Sequence, residues 1–301
     1  MVSAQTRDCG AGASGTILAA LCSVRRLLLL FAVAACGGGD ERGQPDAGPD
    51  ASGPSFPAGE PDVRITQRVG TDIYGFWTDD ALPDPYHVVA ESGPCVLRER
   101  EPYGCGLQCD DGICIADSCY SYPVGLSAGR LSVSGGTHPV EIDPQEGAYS
   151  YFQDSAIFAA GDQIAISAAG DEVPAFEIET RAVAELEAPG IDDVVLVPGE
   201  DFRVSWTADD ADSRVRLLLE SDQHGQFSPT VIECDVVDGA GSITVPGDMI
   251  EAFWATPGQC GECAVQRLAR YSRGQATAGE RPVVIEETSV VNFYPYDRAP
   301  Y

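Results

Sequence analysis

"DFRVSWTADDADSRVRLLLE", residues 201–220, is the stretch whose reading decides the fold class. Phe202, Val204 and Trp206 alternate with Arg203, Ser205 and Thr207, and then Val215, Leu217 and Leu219 again share one parity. A period of two turns successive side chains to opposite faces, which is the pattern of a half-buried strand and not of a helix. Between the two runs lies "ADDADS", residues 208–213, whose short acidic and hydroxyl side chains hydrogen-bond their own backbone and favour turns.

The same pattern spreads outward. "VIECDVV" (231–237) sets Ile232, Cys234 and Val236 on one face, and "GSITVPG" (241–247), "ECAVQRLARYS" (262–272) and "RPVVIEETSVVNF" (281–293) read as further strands. "GDMIEAFWA", residues 247–255, is the one short helix expected. Upstream, "DVRITQRV", "DIYGFWT", "GRLSVSGG", "HPVEIDP", "QIAISAAG" and "AFEIETR" are strand candidates, interrupted by a cysteine-rich insertion over residues 95–119. Short alternating runs with turn signals every ~8–12 residues point to sandwiches or barrels. The expectation is a mainly β protein: two β-sandwich-like domains, residues 62–186 and 187–301, after a disordered N-terminal leader and linker. The second domain should carry about seven strands. Its Trp206 strand resembles the core-tryptophan strand of immunoglobulin- and fibronectin-like sandwiches. No cysteine precedes Trp206 in this half, so the Cys–Trp–Cys spacing of true immunoglobulin domains is missing and the resemblance implies architecture alone.

Charge narrows the function classes. Eighteen basic residues, all arginine, face 47 acidic ones, a net charge of −29. Without lysine, Schiff-base, P-loop and kinase-type lysine chemistry are excluded. A nucleic-acid partner is not expected, because phosphate neutralisation needs a basic face. Acidity of this size keeps a protein soluble, and it suits cationic, polysaccharide or calcium partners.

The N-terminal region reads as an address. Arg25 and Arg26 precede nine apolar residues, Leu27–Ala35, which are too few to span a bilayer but suit a signal-peptide core. The run closes on Val33, Ala34, Ala35 and Cys36, which closely resembles the lipobox of bacterial lipoproteins. That resemblance implies a signal peptide over residues 1–35, acylation of Cys36 by palmitate-type chains, and a membrane anchor in the cell envelope. Several chains are what stable attachment requires. Gly37, where an aspartate would favour inner-membrane retention, leans the expectation towards the outer membrane. The arginine pair lacks the rest of a twin-arginine export motif. The long stretch 1–23 suits a true start at Val24, which an N-terminal peptide from residues 1–23 in the unprocessed precursor would exclude. Residues 36–61, rich in Gly, Pro, Asp and Ala, cannot bury enough surface to fold and read as a tether. Without residues 1–35, which hold three arginines and one aspartate, the net charge is −31.

Eight cysteines follow the anchor: Cys95, Cys105, Cys109, Cys114, Cys119, Cys234, Cys260 and Cys263. An even number in an exported chain reads as disulfides. Five lie before residue 187 and three after it, so complete pairing requires a bridge between the halves. The local bridge expected is Cys234 with Cys260 or Cys263. Two rival readings stand beside this. "CGLQCDDGICIADSC" offers thiolates for zinc, at spacings unlike the Cys-x2-Cys pairs that zinc knuckles prefer. "CGEC" at Cys260–Cys263 could serve thiol redox chemistry if a helix follows it, although Glu262 opposes thiolate formation.

Catalytic signatures are few. His87, His138 and His224 fall in no metal-binding spacing. Loop carboxylates, Asp209, Asp210 and Asp212 above all, are weak calcium candidates, since they lack the glycine and closing glutamate of an EF-hand. Turn capping is the plainer use for them. Aromatic clusters offer a saccharide platform: Tyr74, Phe76 and Trp77; Tyr120 and Tyr122; and the C-terminal "NFYPYDRAPY". Alternation puts Tyr74 and Phe76 opposite Trp77, so one set belongs to the core. The function expected is a non-catalytic binding or structural module of the envelope, with an envelope protein or polysaccharide as partner and no cofactor required. A hydrolase using acidic residues or calcium, and a thiol redox protein using Cys260 and Cys263, are the alternatives.

Overall fold

The computed structural model describes residues 60–68, 70–100, 109, 112–115, 118–221, 229–255 and 265–295. The leader, Cys36, the tether to residue 59, Cys105, Cys260, Cys263 and His224 lie outside them. The described chain is mainly β. Its first half runs through β1 (Val63–Gln67), β2 (Thr71–Thr78), β3 (Tyr86–Ser92), β4 (Cys95–Arg100), β5 (Gly112–Ile115) and β6 (Ser118–Ser121). It continues with β7 (Gly125–Leu126), β8 (Leu131–Ser134), β9 (Val140–Ile142), β10 (Ala148–Gln153), β11 (Gln163–Ala168) and β12 (Phe176–Arg181). The second half holds β13 (Phe202–Ser205), β14 (Arg214–Glu220), β15 (Thr230–Val237), β16 (Ser242–Val245), α1 (Gly247–Ala255), β17 (Gln266–Ala278) and β18 (Arg281–Phe293).

One long sheet in the order β10-β2-β1-β18-β17-β14-β15-β4-β3 is the common layer, with β7 attached to β2. All of its pairings are antiparallel except β1 with β18. Two smaller sheets, β12-β11-β8-β9 and β13-β16, accompany it. Two hydrophobic cores result. Ile65, Ile73, Trp77, Leu131, Ile164, Ile178 and Ile285 belong to the first, and Leu97, Trp206, Leu217, Ile232, Ile250, Leu268 and Phe293 to the second. The hairpin β17–β18 serves both. Pairing without a register shift keeps Val283, Ile285, Val291 and Phe293 on one face, with the first pair in one core and the second pair in or against the other.

The β12 backbone passes close over β17. A Cβ on Gly274 would lie 1.9 Å from the Glu179 carbonyl oxygen, so only glycine admits this approach.

Three expectations are corrected. Cys95–Arg100 is not part of an insertion: it is β4, paired with β15 of the other half, and Cys95 and Leu97 join the second core. Cysteine density masked its alternating Cys95, Leu97 pattern. Cys234 bridges to Cys95, its direct cross-strand neighbour at a Cα–Cα distance of 4.0 Å, and not to Cys260 or Cys263. Long-range strand pairing decides that partner, and proximity along the chain does not. Residues 187–295 hold six described strands where about seven were expected. A bridge between the halves is present as the odd cysteine counts required. Cys109 pairs with Cys119, and Cys114 is disulfide-bonded as well.

Candidate functional site

Between the two cores, on the same face of β17–β18, lies a buried polar seam. Arg270 is fully buried, and its guanidinium donates to Asp238 through Nε at 2.9 Å and Nη2 at 2.8 Å. It also donates to the carbonyls of Ala184, Glu185 and Thr207. Asp238 in turn accepts from the backbone N–H groups of Asp209 and Asp210. Glu287 accepts from Val183 N at 2.7 Å and Gln67 Nε2 at 3.0 Å, and Ser289 Oγ accepts from Leu186 N. The segment that passes from one core to the other is therefore held by side chains of the shared hairpin.

Burial pushes the Glu287 carboxyl up to about 8, against its two hydrogen bonds, with Asp210 and Glu286 adding to the rise. Its folded value lies above its ordinary 4.5, so between the two the folded state keeps a proton that the unfolded state has lost. This group costs nothing below that window, and its stabilising proton is lost as pH rises through about 8. Wild-type stability should fall relative to Glu287→Gln by up to about 1.4 kcal/mol per pH unit from pH 5 to 8. Parallel thermal-unfolding profiles of the two proteins across that range would refute the assignment.

The calcium candidates belong to this seam. Asp210 is ion-paired to Arg181 and accepts from the Asp212 and Ala184 amides, while Asp212 also meets Arg181 at 3.1 Å. Among the described residues no group of three or more His, Cys, Asp or Glu side chains is arranged to hold a metal ion. Cys260 and Cys263 lie outside the described residues, and the next described element is strand β17, not the helix that a thioredoxin-type pair requires. His138 Nδ1 lies 3.1 Å from Thr137 Oγ1, in an exposed pair.

The face of the long sheet turned away from both cores carries the other side chains of interest. At its centre Glu286 is contacted by Arg273 at 2.6 Å, Arg216 at 3.0 Å and Arg64 at 3.7 Å. Burial alone would raise the Glu286 pKa, but Arg216 and Arg273 outweigh it and hold the carboxyl below its ordinary range. Tyr271 donates to Asp235 beneath the Arg216 guanidinium, which sits 4.3 Å from the ring centroid. Burial first, and Asp235 next, push the tyrosine up to about 12. These groups form a structural ladder across the sheet.

Towards the β10 edge the ladder gives way to exposed rings. Alternation along β2 buries Ile73 and Trp77 and leaves Tyr74 51% and Phe76 38% exposed. Trp77 is the core member, packed against Tyr149 and Phe176. Register places Tyr74 between Arg64 and Ser150, and Asp72 between Thr66 and Phe152, which is 68% exposed. Tyr74, Phe76 and Phe152 thus share one outward face. Beside them a groove of about 360 Å³ is lined by Thr66, Arg68, Gly70, Asp72, Phe152 and Asp154. A Cβ on Gly70 would fall 2.2 Å from the Gln153 carbonyl oxygen, so the turn that forms the groove wall requires glycine.

The sequence pattern picked out Tyr74 and Phe76 but missed Phe152. Its strand, "AYSYFQ", shows Tyr149 and Tyr151 in phase, and that was the signal available. Tyr120 and Tyr122 are exposed at the separate β5–β6 ribbon, away from this register. Among the described residues no helix is long and apolar enough to cross a membrane. No protein-family model matches the chain, and no curated protein is significantly similar to it.

Proposed function

We propose that the protein is a cell-envelope lipoprotein, acylated at Cys36 and tethered through residues 36–61, whose folded part is a non-catalytic binding module. The observation that carries the binding reading is the outward line of Tyr74, Phe76 and Phe152 beside a groove on a sheet face turned away from both cores. Large apolar groups gathered on a protein surface mark contact sites, whereas scattered ones need no explanation. Elsewhere on that face Glu286 and Asp235 are ion-paired with Arg64, Arg214, Arg216 and Arg273. The anchor rests on the arginine pair, the short apolar run and Val33-Ala34-Ala35-Cys36.

The test uses the full chain in the cells that export it. Tyr74→p-benzoylphenylalanine and Phe152→p-benzoylphenylalanine should give light-dependent adducts, and the same replacement of exposed Glu177, on β12 of the smaller sheet, should give none. A palmitate analogue should label the chain and fail to label Cys36→Ala. Absence of adducts at both ring positions would end the binding reading.

A further inference from the structure

Resting on that reading, we infer that the groove and its rings bind a neutral, hydroxyl-rich polysaccharide. Tyr74 and Phe76 are two residues apart on β2, hence about 6.8 Å along the strand. Phe152 lies on the neighbouring strand, diagonal to Tyr74 across the β2–β10 pairing. The three rings form a staggered row on an open surface. A pyranose ring is amphipathic in the matching sense: its axial C–H faces are apolar and its rim carries hydroxyls. Stacking on the rings buries the first, and the rim then meets what borders the row.

The border is polar and ready to accept such a ligand. Asp72, Asp154 and Arg68 are exposed, and their side chains make no hydrogen bond or ion pair among the described residues. Thr66 adds a hydroxyl on the same face, next to Asp72 in register. Carboxylates accept from sugar hydroxyls, and Arg68 donates to sugar oxygens. Charge selects among polymers. The groove is lined by two carboxylates, Asp72 and Asp154, and one guanidinium, Arg68, and so offers no surplus of positive charge, and the chain as a whole carries −29. Phosphorylated or uronic polymers and anionic lipid surfaces are repelled by that field. A protein partner would bury the Asp72, Asp154 and Arg68 charges near the centre of its contact, where interfaces are depleted of charge.

The full-length protein in detergent is titrated with hexasaccharides of glucose, mannose, galactose and N-acetylglucosamine, and with polygalacturonate, by calorimetry. At least one neutral hexasaccharide should bind, and polygalacturonate should not. Tyr74→Ala and Phe152→Ala should each weaken binding about tenfold, and Asp72→Asn about threefold, with Glu177→Ala unchanged. The replaced side chains are exposed, so unfolding temperatures should match wild type. Failure of every neutral sugar, binding of the anionic polymer alone, or an affinity indifferent to both ring variants overturns the inference. The cellular adducts at positions 74 and 152 separate the two levels of the argument. Adducts digested by protease and resistant to periodate would leave a binding module whose partner is a protein. Absence of adducts would remove both.

Discussion

Arg270→Met should lower the stability of the folded protein by about 3–5 kcal/mol, the cost of leaving one partner of a buried ion pair alone. Arg270 and Asp238 are 0% and 1% exposed, so water cannot replace the lost partner. The guanidinium's donors are matched to Asp238 and to the carbonyls of Ala184, Glu185 and Thr207. Methionine fills much of the volume and satisfies none of these acceptors. Arg270→Lys should recover less than half of the loss, because one ammonium cannot reproduce a planar fork aimed at four groups. Asp238 also holds the Asp209 and Asp210 amides, so damage should extend to the loop that carries Asp210 and Asp212. Denaturant unfolding of the three proteins reads these differences. A loss below about 1 kcal/mol for the methionine variant would mean that the seam does not hold the crossing segment.

The second large effect is expected at the Cys95–Cys234 bridge. Its cysteines are 139 residues apart and both are fully buried. Closing a loop of that length restricts the unfolded chain enough to contribute about 5 kcal/mol in the chain-entropy account, before any loss to native-state strain. The double substitution Cys95→Ala/Cys234→Ala should therefore lower the unfolding temperature by roughly 10–20 °C for a domain of this size. The position of the bridge makes a sharper test possible. β3 and β4 form the end of the long sheet, and β4 is held to the rest by its pairing with β15 and by this bond. Amides of β4 should then exchange with solvent well before those of β17 and β18 in the double variant, and together with them in wild type. Equal protection of β4 in both proteins would show that pairing alone retains the strand.

Legibility followed the range of the interaction. Alternation in "DFRVSWT", "RVRLLLE" and "TDIYGFWT" is a local pattern, and it located β13, β14 and β2 along with the faces they bury. The helix in "GDMIEAFWA" was equally plain, and α1 covers Gly247–Ala255. β4 was lost because the cysteines of residues 95–119 suggested a separate insertion, while the partner that makes Cys95–Arg100 a strand lies in β15. Phe152 was missed because its neighbours on the surface, Asp72 and Tyr74, belong to β2, across the sheet from its own strand. Arg270 gave no sign of burial, since an arginine inside a strand pattern reads as a solvent-facing residue unless its acceptors are known.

By itself the sequence determined a mainly β chain, the periodicity of most strands, the placing of Trp77 on the face opposite Tyr74 and Phe76, and the need for a disulfide between the halves if every cysteine is paired. The tertiary structure alone decided that one sheet serves two cores, that β1 lies parallel to β18, that Cys95 is the partner of Cys234, and that Phe152 and the groove complete the ring surface. The reason is physical. A side chain's face is set by the two-residue repeat of its own strand, whereas a strand's neighbour is set by which buried surfaces and hydrogen-bonding edges can be satisfied together across the whole chain.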